Sequence, residues 1–290
     1  MKKLLPLLLL ILIGCSEPEP LNYGLLEEKD DIHYLKNTNE IYSGPVFNID
    51  GKSEGYIKKG KWDGPFKSYY DNGQLQQEEI YNNGKRDGPL KSYHENGQLM
   101  GEGTYKDDKL DGPYKSYYDN GQLNEELTYN NGEKDGPYKS YYENGQLNEE
   151  LTYNNGKLDR QVKYYYYNGQ LQQEGTYKNG QPDGPVKFYY DNGQLREEGT
   201  YNNGKQDGPL KSYHENGQLM GEGTYKDDKL DGPVKWYYDN GQLREEGTYN
   251  NGKRDGLWKF YHQFYSIHNN GQLKEERTYK NDKYIDSKFY

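Results

Sequence analysis

The chain has 290 residues, of which only 31% are hydrophobic and 35 are Tyr, so few aliphatic side chains remain to fill a thick core. It contains 36 Gly and no Ala, which excludes a mainly α-helical fold. Its formal net charge of −10 opposes binding to nucleic acid phosphates, and its aromatic content of 15% is too high for a disordered chain.

The amino-terminal segment predicts a cleaved export signal. Two lysines precede an apolar run, residues 4–13, which is too short to span a bilayer but suits the apolar region of a signal peptide. Residues 12–15 resemble the lipobox of bacterial lipoproteins. That resemblance implies a lipoprotein signal peptide over residues 1–14, cleavage before Cys15, and acylation of the Cys15 thiol, for example with palmitate. The alternative is a plain secretory signal followed by an unmodified cysteine.

Residues 15–41 are predicted to form the lipid anchor and an acidic tether. The stretch after the anchor is polar, with alternating Glu and Pro at 17–20 and an acidic cluster at 27–31, which is typical of a solvated linker. Ser16 resembles the residue that follows the cysteine in lipoproteins sorted to the outer membrane. We therefore expect a bacterial membrane lipoprotein at the outer membrane or the cell surface.

The rest of the chain is an internal repeat with a period of 24 residues. Equivalent aspartates mark the units: Asp63, Asp87, Asp111, Asp135, Asp159, Asp183, Asp207, Asp231 and Asp255. We assign the repeat array to residues 42–284, with a shortened first unit and an insertion after His262, and a C-terminal tail to residues 285–290. A fixed period of this kind is typical of stacked repeats, in which each unit packs against its neighbours.

Each unit is predicted to be a β-hairpin. In the unit that begins at Asp111, the dipeptide Asn120-Gly121 separates two runs rich in Tyr and Thr, which predicts a two-residue type I′ turn. A second dipeptide, Asn131-Gly132, connects to the next unit, so the hairpins should continue as an antiparallel meander.

The predicted turn sets the pairing of the two strands. Lys115 should face Glu126, and both positions keep their residue type in all nine units, which supports this register. The same register places Tyr118 opposite Leu123.

Side chains alternate along each strand, which separates two faces of the predicted sheet. One face carries Tyr114, Tyr118, Leu123 and Tyr129, and the position of Tyr114 is apolar in every unit. Tyr suits a half-solvated face because it buries ring area and still offers a hydroxyl to water. The predicted fold is therefore all-β: an elongated, single-layer antiparallel meander of about nine to ten 24-residue β-hairpin repeats.

The repeated pattern Asp-Gly-Pro-x-Lys-x-Tyr-Tyr-x-Asn-Gly-Gln-Leu-x-x-Glu-Gly-x-Tyr resembles the bacterial variant of the MORN repeat, as found in YwqK-type proteins labelled antitoxins. The resemblance covers residues 42–284. It implies a β-meander that associates with proteins or membranes and that carries no shared catalytic residues. One unit departs from the pattern, since Asp159-Arg160-Gln161 replaces Asp-Gly-Pro.

The sequence predicts no catalytic residues, no metal site and no cofactor. Adjacent carboxylates of a strand point to opposite faces and cannot converge as a glycosidase pair does. His94, His214 and His262 occupy the position of Tyr118, and a plain aromatic role is predicted for them. Partner binding is predicted for a set of ring side chains: Tyr70, Tyr118, Tyr142, Tyr166, Tyr190, Tyr238 and Trp258. The alternative is that these rings only pack hairpin against hairpin.

The predicted function is a non-enzymatic, membrane-anchored repeat scaffold that mediates protein–protein interaction at the bacterial cell envelope. The first alternative is binding of glycan or cell wall through the Tyr-rich face, and the second is an enzyme. The predicted partners are the membrane, through lipidated Cys15, and an envelope protein or glycan, but no nucleic acid.

Overall fold

The structure of the protein is a computed structural model that describes residues 18–263 and 271–290. The predicted signal peptide, the cleavage site and Cys15 lie outside the described residues, as does most of the insertion after His262. Within the described ranges there is no α-helix, and no helix is long and apolar enough to cross a membrane. The strands form an open, almost entirely antiparallel sheet, which confirms the predicted all-β meander of hairpins.

The described residues contain one short 3-10 helix, Tyr23–Leu25, and 29 strands. The first ten strands are β1 (Leu21–Asn22), β2 (Leu26–Lys29), β3 (Ile32–Leu35), β4 (Gly44–Phe47), β5 (Ser53–Lys58), β6 (Lys61–Trp62), β7 (Gly64–Tyr69), β8 (Leu75–Asn82), β9 (Lys85–Tyr93) and β10 (Leu99–Lys106). The next ten are β11 (Lys109–Leu110), β12 (Gly112–Tyr117), β13 (Leu123–Asn130), β14 (Glu133–Tyr141), β15 (Leu147–Asn154), β16 (Lys157–Leu158), β17 (Arg160–Tyr165), β18 (Leu171–Lys178), β19 (Gln181–Tyr189) and β20 (Leu195–Asn202). The last nine are β21 (Lys205–Tyr213), β22 (Leu219–Lys226), β23 (Lys229–Leu230), β24 (Gly232–Tyr237), β25 (Leu243–Asn250), β26 (Lys253–Arg254), β27 (Gly256–Tyr261), β28 (Leu273–Lys280) and β29 (Lys283–Phe289).

The chain divides into two compact units. The first comprises residues up to Gln98 together with Tyr105–Lys109, and the second comprises Leu99–Thr104 and Leu110–Tyr290.

The first unit contains a folded segment within the stretch that the sequence assigns to a solvated tether. β1 pairs in parallel with β4, and β2 pairs with β3 in a small antiparallel hairpin. Leu26 of this hairpin is buried in a cluster with Val46 and Ile57. The assignment of residues 15–41 to a solvated tether therefore does not hold for Leu21–Leu35, because burial of Leu26 and its apolar neighbours stabilises this segment as folded structure.

His33 anchors the same hairpin to the first repeat. Its side chain is 3% exposed, and its Nδ1 donates to the Gly60 carbonyl at 2.8 Å. The Tyr23 hydroxyl lies 2.8 Å from the Nε2 of His33, so both ring nitrogens have partners. Trp62 stacks on Tyr23, which extends the contact into the repeat array.

In the second unit, the predicted strand pairing is confirmed at the centre of each hairpin. Lys115 lies opposite Glu126, and Ser116 lies opposite Glu125. The neighbouring hairpin repeats the arrangement with Lys139 opposite Glu150. The Lys115 and Glu126 side chains form an ion pair at 3.4 Å.

The hairpin tip differs from the prediction. Tyr117, rather than Tyr118, pairs with Leu123, because a bulge interrupts the register after Ser116. At this tip, which lies within the described residues, positive φ falls on Gly121 (82°) and not on Asn120. The Gly121 N–H donates to the Tyr118 carbonyl at 2.9 Å. The two-residue type I′ turn predicted at Asn120-Gly121 is therefore wrong; the tip is a three-residue loop with the left-handed residue at its end.

The type I′ turn occurs instead at the second Asn-Gly of the repeat. Asn130 pairs with Glu133, which leaves two loop residues, and Asn131 (φ 52°) and Gly132 (φ 87°) are both left-handed. The Asn131 N–H donates to the carboxylate of Asp111 at 3.1 Å. The marker aspartate therefore has a structural role, since it holds the turn that leads to the next hairpin, and the same bond is made by Asp63, Asp135, Asp183, Asp231 and Asp255.

One face of the sheet in the second unit holds the apolar contacts. We call it the aromatic face; in the hairpin that begins at Asp111 it carries Tyr114, Ser116, Glu125, Leu127 and Tyr129. Leu127, Leu151, Tyr138 and Val162 form its buried cluster. The apolar position predicted from Tyr114 and its equivalents is confirmed as the centre of packing.

Large and small residues alternate along the centre of this face. The position of Leu127 and Leu151 is occupied by Gly in the four units that follow them: Gly175, Gly199, Gly223 and Gly247. A Cβ on Gly247 would collide with the ring of Trp258, which is 0% exposed. The glycine therefore lets the largest ring of the array lie against the backbone of the neighbouring strand.

Candidate binding surface

The opposite face of the second unit carries three parallel rows of exposed or half-exposed side chains. We call it the proline face; in the hairpin that begins at Asp111 it carries Pro113, Lys115, Tyr117, Glu126 and Thr128. Because side chains alternate along each strand, these residues point away from the aromatic face. Equivalent side chains recur in the other hairpins, with Gln161 and Leu257 in place of the Pro in two of them, which makes this surface chemically periodic.

The middle row alternates Lys and Glu from strand to strand. Lys163 pairs with Glu174, which faces Lys187 on the next strand. Lys187 in turn pairs with Glu198. The Lys139–Glu150 ion pair is 3.5 Å long and about two-fifths exposed, so each pair adds little stability by itself.

Tyrosine hydroxyls join most of the Glu side chains of this row to the following hairpin. The Tyr141 hydroxyl donates to Glu126 at 3.1 Å, and the same bond, 15 residues apart in sequence, recurs along the array. The equivalent pairs are Tyr69–Glu54, Tyr93–Glu78, Tyr117–Glu102, Tyr189–Glu174, Tyr213–Glu198, Tyr237–Glu222 and Tyr261–Glu246. We call these the Tyr–Glu row.

The environment of these hydroxyls favours their protonated form. Burial, with the hydrogen bond to Glu as a further cause, raises the pKa of four of them to about 12: Tyr189, Tyr213, Tyr237 and Tyr261. The Tyr hydroxyl therefore remains a donor to the carboxylate well above neutral pH.

The outer row of the proline face alternates Pro and Thr. Pro209 pairs with Thr224, and Pro233 pairs with Thr248. A shallow groove of about 270 Å³ lies between the two prolines, and Lys211, Glu222 and Lys235 also line it. Equivalent grooves lie between Pro113 and Pro137 (about 360 Å³) and, in the first unit, between Pro65 and Pro89 (about 310 Å³).

The tyrosines predicted as binding residues lie at the hairpin tips. The Tyr118 hydroxyl donates to the Tyr141 carbonyl of the next hairpin at 2.7 Å. The other five make the same bond: Tyr70 to Tyr93, Tyr142 to Tyr165, Tyr166 to Tyr189, Tyr190 to Tyr213 and Tyr238 to Tyr261. His214 takes this position in its own unit, with Nε2 3.2 Å from the Tyr237 carbonyl. The hydroxyls thus join hairpins, and binding of a partner through these rings stays a prediction.

Trp258 differs from the six tip tyrosines because its side chain is completely buried, at 0% exposed, on the aromatic face. The guanidinium of Arg254 lies 4.4 Å from its ring centroid. A partner could reach this ring only after the packing around it changed.

The Pro–Thr row was not predicted as a site from the sequence, although the signal was present as an exposed Pro at the same place in most units. Each of these prolines lies within a strand, as Pro113 does in β12. Among residues 18–263 and 271–290, no group of three His, Cys, Asp or Glu side chains is placed to hold a metal ion.

Comparison with protein families gives one match. The model described as MORN repeat variant matches nine segments: residues 62–83, 86–107, 110–131, 134–155, 161–179, 182–203, 206–227, 230–251 and 254–281. Together these segments make up well over half of the chain. No curated protein sequence matches the chain significantly.

Solved structures show only a weak likeness. The crystal structure of TcdB2-TccC3 is 12% identical over 85% of this chain, with a TM-score of 0.20. The Photorhabdus luminescens Tc holotoxin pore with a TccC3 mutation is also 12% identical, over 87% of this chain, with a TM-score of 0.19. This chain spans only 18% of the length of either of those chains, and TM-scores this low support no argument about fold or function.

Proposed function

This chain belongs to the MORN repeat variant family, and we propose that it acts as a non-enzymatic scaffold that binds other proteins at the bacterial cell envelope. The proposal depends chiefly on the proline face, where Pro, Thr, Lys and Glu recur with the period of the repeat. A repeated surface of this kind spreads contact over many equivalent groups. A catalytic site would instead concentrate a few groups of unlike chemistry in one pocket.

We further propose that Cys15 carries the lipid that holds the scaffold at the membrane. Several acyl chains at about 0.8 kcal/mol per buried CH₂ would give durable attachment. The support is the resemblance of residues 12–15 to a lipobox, and the outer membrane or the cell surface is the proposed location.

Replacement of the cysteine tests the anchor. In Cys15→Ser, the thiol that accepts the lipid is absent, so metabolic labelling with palmitate should disappear and uncleaved precursor should accumulate. The control is Ser16→Ala, which keeps the thiol and should remain labelled. Labelling of Cys15→Ser at the level of the wild-type protein would disprove lipidation at this residue.

Crosslinking in intact cells, followed by purification of the scaffold, tests the binding function. We expect discrete envelope proteins to be captured, and capture to weaken progressively as one, two and three whole repeats are removed. Glu126→Gln should leave capture within about twofold, because one of many equivalent groups contributes little.

Two results would contradict this function. If wall glycan fragments, and no protein, were captured, the scaffold would bind glycan. If Glu126→Gln or His214→Ala abolished a measurable activity while the circular dichroism spectrum stayed unchanged, the protein would be an enzyme.

A further inference from the structure

The spacing of the grooves on the proline face limits which extended ligand can lie along them. Successive prolines of the row, such as Pro185, Pro209 and Pro233, lie two strands apart in the second unit, and hydrogen-bonded strands are spaced by about 4.7 to 4.9 Å. One groove therefore follows another at about 9.4 to 9.8 Å. A ligand that uses several grooves must present the same group at that interval.

Among regular polypeptide conformations, polyproline II fits this interval. It has three residues per turn and a rise of about 3.1 Å, which gives a turn of about 9.3 Å. A β-strand repeats a side chain direction every two residues, at about 6.6 to 6.8 Å. An α-helix has a pitch of about 5.4 Å. Only the polyproline II turn stays within about 0.5 Å of the groove spacing at each step.

The lining of the groove also suits such a ligand. Pro209 and Pro233 are exposed and form two apolar walls that can hold a proline ring or a small apolar side chain between them. Polyproline II has no internal hydrogen bonds, so its carbonyl groups require outside donors. Thr224 and Lys235 are exposed at the groove and can donate to them.

We propose that the proline face binds a proline-rich segment of a partner protein in the polyproline II conformation, with one turn of the ligand per repeat unit. The inference rests on the proposed function as a protein-binding scaffold and names the partner's chemistry. The longest uninterrupted run in the second unit is Pro185, Pro209 and Pro233, and the last two of these prolines form the walls of the groove described above. Gln161 interrupts the row between Pro137 and Pro185.

This interruption offers a gain-of-function variant. Arg160 has a left-handed φ of 70°, a conformation that a residue before proline does not favour unless it is glycine. The double variant Arg160→Gly/Gln161→Pro restores the Gly-Pro of the other units. The new proline joins Pro113 and Pro137 to the run of prolines that ends at Pro233. Arg160→Gly alone is the matched control.

The test uses the full chain in detergent and fluorescein-labelled oligoprolines of 6, 9, 12 and 18 residues, read by fluorescence anisotropy. For the wild-type protein, affinity should rise with probe length only until the probe spans the longest run of row prolines that Gln161 leaves uninterrupted. The double variant should bind the 18-residue probe at least tenfold more tightly than Arg160→Gly does. The affinity of the double variant for the 6-residue probe should stay within twofold of that of Arg160→Gly.

A loss-of-function pair completes the experiment. Binding of the 9-residue probe should weaken at least tenfold when the exposed Pro of the row is replaced by Ala in every unit that has it, at positions 65, 89, 113, 137, 185, 209 and 233. Pro182→Ala is the matched control and should leave it unchanged, because Pro182 pairs with Tyr177 on the aromatic face. Thermal unfolding of each variant shows that the fold is retained.

Four outcomes would overturn the inference. The first two are equal binding of a Gly-Ser probe of the same length, and binding of a linear glucan oligosaccharide without binding of oligoproline. The other two are association with a second copy of the chain that excludes the probe, and no gain in affinity in the double variant. If the oligoprolines failed while crosslinking still captured envelope proteins, this inference would fall and the scaffold function would stand. If crosslinking captured no protein at all, the scaffold function would fall as well.

Discussion

Removal of residues 111–134 is expected to leave a folded protein with one hairpin fewer. The junction joins Leu110 to Asp135, and equivalent residues take over the lost contacts. Lys139 would lie opposite Glu102, as Lys115 now does, and the Tyr141 hydroxyl would donate to Glu102 as Tyr117 now does. We expect secretion and resistance to limited proteolysis close to those of the intact protein.

Removal of half a unit has the opposite result. Deletion of residues 111–122 joins Leu110 directly to Leu123, so the second strand of a hairpin follows the linking turn without its first strand. A shift in register moves side chains to the wrong face and breaks both the Lys–Glu and the Tyr–Glu contacts. Secretion or protease resistance should collapse. Equal secretion and equal protease resistance of the two deletion variants would show that the 24-residue unit is not the structural unit.

Alkaline pH should unfold the array steeply. The ordinary pKa of a Tyr hydroxyl is 10.0, and in the folded protein burial and the hydrogen bond to Glu raise the pKa of Tyr189, Tyr213 and Tyr237 to about 12. Between these pH values the folded state keeps protons that the unfolded state releases, so the free energy of unfolding falls as pH rises. The stability that these groups contribute is fully present below pH 10 and is lost as the pH passes about 12.

Urea unfolding followed by circular dichroism at pH 8 to 12 measures this effect. A variant with Tyr→Phe at 189, 213, 237 and 261 should be less stable at pH 8 and should lose stability less steeply above pH 10, because it has no such hydroxyls to ionise. Tyr167→Phe is the control, since Tyr167 is 60% exposed and outside the Tyr–Glu row. If the free energy of unfolding fell as steeply with pH above pH 10 in the fourfold variant as in the wild-type protein, the role of the Tyr–Glu row would be refuted.

The architecture could be predicted from the sequence alone because the chain contains nine copies of one hairpin, and comparing the copies shows which positions keep their residue type. Lys115 and Glu126 keep their residue type in every copy, and cross-strand pairing is the local contact that explains both. The position of Tyr114 varies only among apolar residues, which identifies the packed face from chemistry alone. These features follow from contacts within a hairpin or between neighbours, so a periodic sequence records them directly.

The two Asn-Gly dipeptides show where local sequence is insufficient. Both have the composition of a type I′ turn, yet only Asn131-Gly132 forms one. At the tip, the Asn120 side chain accepts the Gln122 N–H at 2.9 Å and donates to the Glu143 carbonyl of the next hairpin at 3.3 Å. The bond to Glu143 joins residues 23 apart, so the dipeptide itself carries no sign of it.

Only the tertiary structure decided what the exposed side chains do. Tyr117 and Tyr118 are identical neighbours in sequence, but the first donates to the carboxylate of the preceding hairpin and the second to a backbone carbonyl of the following one. Pro209 and Pro233 are 24 residues apart and become the two walls of one groove only when their strands lie side by side. The physical reason is that a groove or an inter-hairpin hydrogen bond depends on the distance between strands, and the pairing of whole hairpins sets that distance.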